Sequence, residues 1–311
     1  MKHKKKMILL SIGMSVLLGG CVNMNSSKEN QKDETLEEKH TEESNYISVQ
    51  DYTGEEYTLQ GGEKTDKIAE ANRNEIDKAV KKFFLDNYKT EVKVHNIVGA
   101  ADGATVFVES IGEPHFYTFA VVPIDVHEEK VYLNKVFSQE GQVEDAIKGG
   151  LYAMIFEDEF EKLNQYLNDL SNKGDVIGRT VKSLENVGGT GYMTPYYYIT
   201  TSIHDKAIVP VFDMYLKNSN TSMEELLKVF DQNQFLPKNF NITIQLFMKE
   251  RNAAPSEELF KQICEDIKKM DGIPKGSYSV IINDNNIDKL TNNGVKDNSL
   301  KKTYPNYIVK E

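Results

Sequence analysis

The fold of this chain is decided by three runs: EVKVHNIV (91–98), ATVFVES (104–110) and HFYTFAVVPI (115–124). Each run is rich in β-branched and aromatic residues or alternates between apolar and polar residues, which is typical of strands. Asp102-Gly103 and Gly112-Glu113-Pro114 separate the runs as turns. Because no helix intervenes, the three strands are expected to pair as an antiparallel meander.

Amphipathic helices surround this meander in the sequence. Residues 66–88 carry their apolar side chains on one helical face, and residues 256–270 do the same. Residues 141–171 form a longer helical stretch, in which Gly149-Gly150 indicates a bend or a close approach of another segment. The sequence therefore predicts an α+β fold, in which helices pack on an antiparallel sheet.

The second half of the chain adds two strands, NITIQLFM (241–248) and YSVIIN (278–283). Residues 46–311 are long enough for one large domain or for two close-packed halves. In the second case, the glycine-rich passage near 172–192 is the expected seam. Both organisations stay open at this point.

The N-terminus has the order of a lipoprotein signal. A lysine-rich head (2–6) precedes an apolar run of twelve residues (7–18), which is too short for a membrane span of about 20 residues but suits a secretory signal. The following Leu18-Gly19-Gly20-Cys21 resembles the lipobox of bacterial lipoproteins. That resemblance implies a signal peptide over 1–20 and a diacylglyceryl group on Cys21. The alternative is an ordinary secretory signal with an incidental cysteine.

Residues 21–45 are predicted to form an acidic, disordered tether that begins at the lipidated Cys21. From residue 22 to 45 they hold seven acidic residues and three lysines but no aromatic residue, a composition that cannot bury a core. Two acyl chains hold a protein stably on a bilayer. We therefore expect the chain to be anchored to the cell membrane on its extracytoplasmic face.

The charge balance argues against nucleic acid as a partner. Without residues 1–20, the chain has 33 Lys and Arg against 48 Asp and Glu, a net charge of −15. Its three arginines, Arg73, Arg179 and Arg251, are far apart, whereas nucleic-acid binding requires clustered cations. Once Cys21 is lipidated, Cys264 has no partner for an internal disulfide, and its helical spacing places it in an apolar stripe.

No catalytic, cofactor or metal site is predicted. His95 and His115 lie on neighbouring predicted strands with Glu113 nearby, but half-exposed strand residues explain them better than a metal site does. The Gly188–Gly191 turn is not followed by the Lys-Ser or Lys-Thr pair that a phosphate-binding loop requires. The chain also lacks the Gly-x-Ser-x-Gly motif of a serine hydrolase.

The tyrosine-rich stretch beside this turn is the best candidate for an interaction surface. Tyr196 and Tyr198 are expected on one face of a strand and Tyr197 on the other. If one face is core, the tyrosines on the opposite face, together with Tyr192, are available to a partner. The alternative is that the whole stretch is buried.

Several stretches resemble a family of membrane lipoproteins of unknown function from Gram-positive bacteria. The resemblance covers residues 46–311, and it is carried by VQDYTGEEYTL (49–59), VFVESIGEPHFYTFAVVPID (106–125) and QEGQVEDAIKGGLYAM (139–154), together with AVKKFFLDNYKTEVKVHN (79–96), GYMTPYYYI (191–199) and GIPKGSYSV (272–280). It implies a membrane-anchored exoplasmic protein and transfers no catalytic residue.

The sequence thus favours a non-catalytic binding or interaction module whose protein or small-molecule partner is not defined. Two alternatives remain. A solute-binding lipoprotein of an import system fits the length and the anchor, although residues 91–124 lack the β-α-β alternation of such proteins. An enzyme of the cell envelope is the other alternative, with a site assembled from distant residues.

Overall fold

The structure, a computed structural model, describes residues 45–202 and 205–311. The predicted signal peptide, the lipid-attachment residue Cys21 and the tether up to residue 44 lie outside the described residues.

Eight helices and twelve strands occur in the described part of the chain. The helices are α1 (Glu63–Ala71), α2 (Arg73–Tyr88), α3 (Gln142–Ile155), α4 (Glu157–Lys173), α5 (Val181–Val187), α6 (Val209–Lys217), α7 (Met223–Val229) and α8 (Glu257–Lys269). The strands are β1 (Tyr46–Ser48), β2 (Val92–Ala100), β3 (Gly103–Ser110), β4 (Tyr117–Asp125), β5 (Lys130–Val131), β6 (Val176–Ile177), β7 (Tyr197–Thr201), β8 (Phe240–Met248), β9 (Gly276–Asn283), β10 (Asn286–Asp288), β11 (Leu300–Lys302) and β12 (Ile308–Lys310).

The predicted meander is confirmed as a four-stranded antiparallel sheet in the order β2-β3-β4-β5. Ala100 pairs with Gly103, so the turn at Asp102 is tight, as its sequence indicates. The register of β2 against β3 shifts between Val94 and Asn96, which marks a bulge. This bulge lies at His95, a residue of the candidate sites described below.

The helices break at residues that the apolar pattern does not reveal. The stretch 66–88 forms two helices that meet at Asn72, whose side-chain amide donates to the carbonyl of Ile68 at 2.8 Å. The stretch 141–171 likewise breaks, at Phe156 between α3 and α4. Gly150 is not the bend but a close approach, because a Cβ there would lie 2.7 Å from the carbonyl oxygen of His115.

The second sheet is mixed rather than wholly antiparallel. Its order is β11-β9-β8-β6, with β12 on β9 and β7 on β8. The strands β8 and β9 run parallel because α8 connects them, whereas the other pairs are antiparallel. The α+β class and the helix packing are as the sequence predicts.

Buried side chains from both sheets belong to one hydrophobic cluster, which includes Val106 of the meander and Ile242 of the second sheet. Cys264 on α8 is buried in this cluster, as its helical spacing predicts. The cluster covers one face of the second sheet and leaves the other face to the candidate site.

Candidate ligand-binding cavity

Strand alternation gives the second sheet an apolar face and a polar face. On β7, Tyr197 and Ile199 are buried in the core, whereas Tyr198 points to the opposite side. Tyr198 pairs with Thr243 of β8, and Thr243 pairs with Ser279 of β9. Hydroxyl groups therefore continue across three neighbouring strands on the polar face.

A cavity of about 340 Å³ opens where this polar face meets the segment after α4. Its walls are the polar face, the Gly188–Gly191 turn and the side chain of Arg179. The lining residues are Arg179, Leu184, Gly188, Gly189, Thr190, Met193, Thr194, Pro195, Tyr196, Tyr197, Tyr198, Thr200, Gln245 and Asn292.

Arg179 is held in the cavity by amide and carbonyl groups. Its Nη1 donates to Asn292 Oδ1 at 2.5 Å, its Nη2 to the carbonyl oxygen of Asn292 at 3.2 Å, and its Nε to Gln245 Oε1 at 3.4 Å. The guanidinium also lies over the ring of Phe247, at 5.7 Å from the ring centroid. All of these groups are uncharged, so they position the cation without neutralising it.

No carboxylate among the described residues forms an ion pair with Arg179. The other two arginines differ, since Arg73 pairs with Glu70 at 2.7 Å and Arg251 with Asp51 at 2.5 Å. Arg179 is partly buried, and it lines the cavity. Burial lowers the pKa of Arg179, and the nearby Tyr52 and Tyr198 oppose this only in part.

The backbone around Arg179 is built for a close approach. Its amide donates to the carbonyl of Pro195 at 2.8 Å, which joins the segment to the tyrosine stretch. At the preceding Gly178 a Cβ would lie 2.4 Å from that same carbonyl oxygen, so this position requires glycine. Thr180 then caps α5 by accepting from the amide of Ser183 at 3.0 Å.

On the other side of the cavity, Asn292 is fixed by its own contacts. It adopts a left-handed conformation with φ of 61°, which asparagine tolerates better than most residues. Its amide nitrogen Nδ2 donates to the carbonyl of Val187 at 2.9 Å. The carbonyl groups that receive the Arg179 side chain are therefore in place before any ligand arrives.

The structure separates the four tyrosines of the predicted interaction surface. Tyr197 is 1% exposed, and its ring stacks on Phe160 with 5.7 Å between centroids. Tyr196 and Tyr198 are half-buried and line the cavity, and Tyr192 is half-buried beside Tyr197. The alternation predicted for 196–198 is thus present, while their role in binding remains a prediction.

The glycine-rich turn is tied to the meander. Gly191 has φ of 129°, and it exchanges two backbone hydrogen bonds of 2.9 Å with Tyr117 of β4. At Gly188 a Cβ would lie 2.2 Å from the carbonyl oxygen of Leu184. Gly189 is different, because a Cβ there would contact only the flexible end of Met193, at 3.0 Å. A side chain can therefore be introduced at Gly189 to fill the cavity.

A wider groove adjoins the cavity along the same sheet face. Its volume is about 630 Å³, and it shares Tyr198 and Thr200 with the cavity. Tyr304, 80% exposed, stands at its edge, and Lys238 contributes a positive charge. This groove is more open than the cavity, so the cavity encloses a small molecule better.

A second polar cluster lies on the meander, where His95 and His115 both contact one carboxylate. They contact Glu109 rather than the expected Glu113, with His95 Nε2 at 2.8 Å and His115 Nε2 at 3.0 Å from its carboxylate oxygens. Glu113 instead accepts from the backbone amide of His115 at 2.9 Å. Burial alone would raise the pKa of Glu109, but the hydrogen bonds from His115 and His95 outweigh it and lower the pKa.

Three residues of this cluster have the composition of a metal site. Ligand atoms of His95, Glu109 and Glu185 lie within 4.8 Å of one another. However, Glu185 also faces the amino groups of Lys93 at 3.8 Å and Lys182 at 3.6 Å, which compete with a cation for its charge. Both histidines already hydrogen-bond to Glu109 of β3, and Glu185 of α5 faces His95 Nδ1 at 3.9 Å.

None of the described helices has both the length and the apolar character that crossing a membrane requires. The described residues form an α+β fold with a mixed sheet. The polar face of this sheet lines a cavity that contains Arg179, which has no carboxylate partner among the described residues.

The chain belongs to the DUF1672 family, described as a protein family of unknown function, whose sequence profile matches residues 39–310. This confirms the part of the expectation that concerns an uncharacterised family. A search among curated proteins gave no match.

A crystal structure of a DUF1672 family protein from Staphylococcus aureus subsp. aureus Mu50 has a similar fold. The TM-score is 0.68 at 17% sequence identity, and the match covers 86% of this chain and 98% of that one. At this identity the likeness shows the fold alone.

Proposed function

We propose that this protein is a lipid-anchored, extracytoplasmic binding module that takes a small molecule into the Arg179 cavity. The anchor rests on the Leu18-Gly19-Gly20-Cys21 sequence behind a short apolar run. The binding role rests on one observation, the enclosed guanidinium without a carboxylate partner among the described residues. Buried charges are normally paired, so an unpaired one beside a cavity indicates a ligand that completes it.

The lining of the cavity supports binding rather than catalysis. Among the described residues that line it, Arg179 and three tyrosines are the only groups that ionise, and no carboxylate, histidine or cysteine is present. General acid–base or nucleophilic catalysis uses such groups within hydrogen-bond reach of the reacting atoms. A pocket built from hydroxyls, amides, aromatic rings and one cation is suited to recognition.

The proposal is tested by a thermal-shift screen of small metabolites of all charge classes against the wild-type chain. A compound at 100 times its dissociation constant stabilises the fold by about 2.7 kcal/mol, which raises the melting temperature by roughly 5 °C or more in a protein of this size.

Two variants test whether a stabilising compound binds in the cavity. Gly189→Leu fills the cavity against the flexible end of Met193 and should remove the shift. Thr303→Leu lies in the adjoining groove and should leave it unchanged. If no compound stabilises the wild type, or if Gly189→Leu binds every hit as well as the wild type does, the cavity is not the binding site.

A further inference from the structure

We infer that the ligand of this cavity is a small carboxylate with a single negative charge, bound through Arg179. This inference rests on the proposed function and names the chemical class of the ligand. It comes from the hydrogen bonds that Arg179 leaves unused, from the count of charges in the cavity and from the nature of its walls.

The guanidinium keeps donors for a ligand. Arginine has five N–H groups, and three of them bond to Asn292 and Gln245. The remaining two, one on each terminal nitrogen, have no acceptor among the described residues. A carboxylate oxygen accepts such a bond, and charge-assisted bonds of this kind are roughly twice as strong as neutral ones.

The charge count selects a single negative charge. Arg179 is the only lysine or arginine among the described lining residues of the cavity. A carboxylate would neutralise it, whereas a phosphate monoester, which carries close to two negative charges at pH 7, would leave an excess charge in the cavity. Phosphate sites usually add further cations or several backbone amides of a helix N-terminus.

The walls indicate an uncharged body for the ligand. The rings of Tyr196 and Tyr198 and the side chains of Leu184 and Met193 provide apolar surface. Thr190 and Thr194 add hydroxyls but no charge. At about 340 Å³ the cavity is at the lower end of the range for ligand sites, so the body is small.

The experiment compares matched probes on the full chain, purified in a non-ionic detergent. A panel of about a dozen aromatic and aliphatic monocarboxylates, including benzoate and hexanoate, is measured beside the primary amides and the phosphate monoesters of the same bodies. We expect at least one carboxylate to raise the melting temperature and to bind at least about tenfold more tightly than its amide and its phosphate ester by isothermal titration calorimetry.

Variants then test whether the positive charge of Arg179 binds the carboxylate. Arg179→Gln should weaken carboxylate binding at least tenfold, and Arg179→Lys, which keeps the charge without the forked geometry, should weaken it less. Arg73→Gln removes an exposed, ion-paired arginine and serves as the control, with no expected change. If Arg179→Gln does not fold, the comparison of carboxylate with amide on the wild type still decides the result.

The outcomes separate the two proposals. If amides or phosphate esters bind in the cavity while their carboxylates do not, the carboxylate inference is wrong and the binding function stands. Carboxylate binding that survives Arg179→Gln unchanged also overturns the inference. If no probe of any class binds and the metabolite screen is also negative, the binding function itself is wrong.

Discussion

Replacing Tyr197 and Tyr198 separately by alanine tests whether β7 divides core from cavity. Tyr197 is 1% exposed, stacks on Phe160 at 5.7 Å and lies 6.2 Å from the ring of Tyr192. Truncating a buried aromatic side chain costs about 3–5 kcal/mol, and the higher part of this range applies where neighbours cannot collapse into the space. The strand backbone holds Tyr197 opposite Ile244, which limits such collapse.

Tyr198 is the matched comparison, because it is adjacent in sequence and identical in chemistry. It is half-buried at the cavity and pairs with Thr243 across the strands. Its replacement by alanine should cost no more than about 1 kcal/mol, since its side chain lines the cavity and the open groove rather than the core. The two variants should therefore differ by at least about 2 kcal/mol.

The measurement is equilibrium unfolding in urea of the chain expressed from residue 22 onward. Both variants should unfold at a lower midpoint with an unchanged slope. Tyr197→Phe, which keeps the ring and removes the hydroxyl, is the control and should lie near the wild type. A loss of more than about 3 kcal/mol in both alanine variants, or a loss under about 1 kcal/mol in Tyr197→Ala, would refute the assignment of the two faces.

Three further predictions follow from the chain as a whole. Cys21→Ser should release the protein from the membrane fraction and change its processed size, and membrane retention at unchanged size would contradict the lipid anchor. Residues 46–311 should fold without lipid, metal or disulfide, so a drop of many degrees in melting temperature with chelator or reductant would contradict this. Glu109→Gln should lose the stability that ionised Glu109 provides above its unfolded pKa of about 4.3, because its pKa is lowered in the folded state. The difference in unfolding free energy from the wild type should shrink as the pH falls below about 4, and a difference independent of pH would contradict the role of the two histidines.

The meander could be predicted because the strands and turns that form it are consecutive in the sequence. Alternating and β-branched runs, short turns and the absence of helices fix both the strands and their antiparallel pairing. The parallel pair of β8 and β9 follows from the helix between them, although the sequence was interpreted only as separate strands and a helix. The two helix breaks, at Asn72 and Phe156, were not predicted, and at Phe156 the apolar pattern even continues through the break, because its ring packs against the core.

The histidine cluster was half predictable. Strand proximity indicates that His95 and His115 lie near each other, and the structure brings both to the carboxylate of Glu109. The partner is Glu109 rather than Glu113, because Glu109 is on β3 between the two histidines, whereas Glu113 belongs to the turn. The register between β2 and β3 decides which carboxylate His95 contacts. The bulge at His95 shifts this register, and the sequence pattern does not predict the bulge.

The Arg179 cavity was beyond sequence pattern because its parts come from distant places. Arg179 reaches Gln245, 66 residues away, and Asn292, 113 residues away, and these contacts exist only once the second sheet has formed. The sequence did hold one signal, a chain with only three arginines that places one of them directly after a glycine in the passage before the tyrosines. That signal concerns the place of Arg179 in the sequence, and it does not show whether a carboxylate pairs with the arginine. Only the structure shows that Arg73 and Arg251 pair with carboxylates. It also shows that Arg179, the one lysine or arginine among the described lining residues of the cavity, has no carboxylate partner among the described residues.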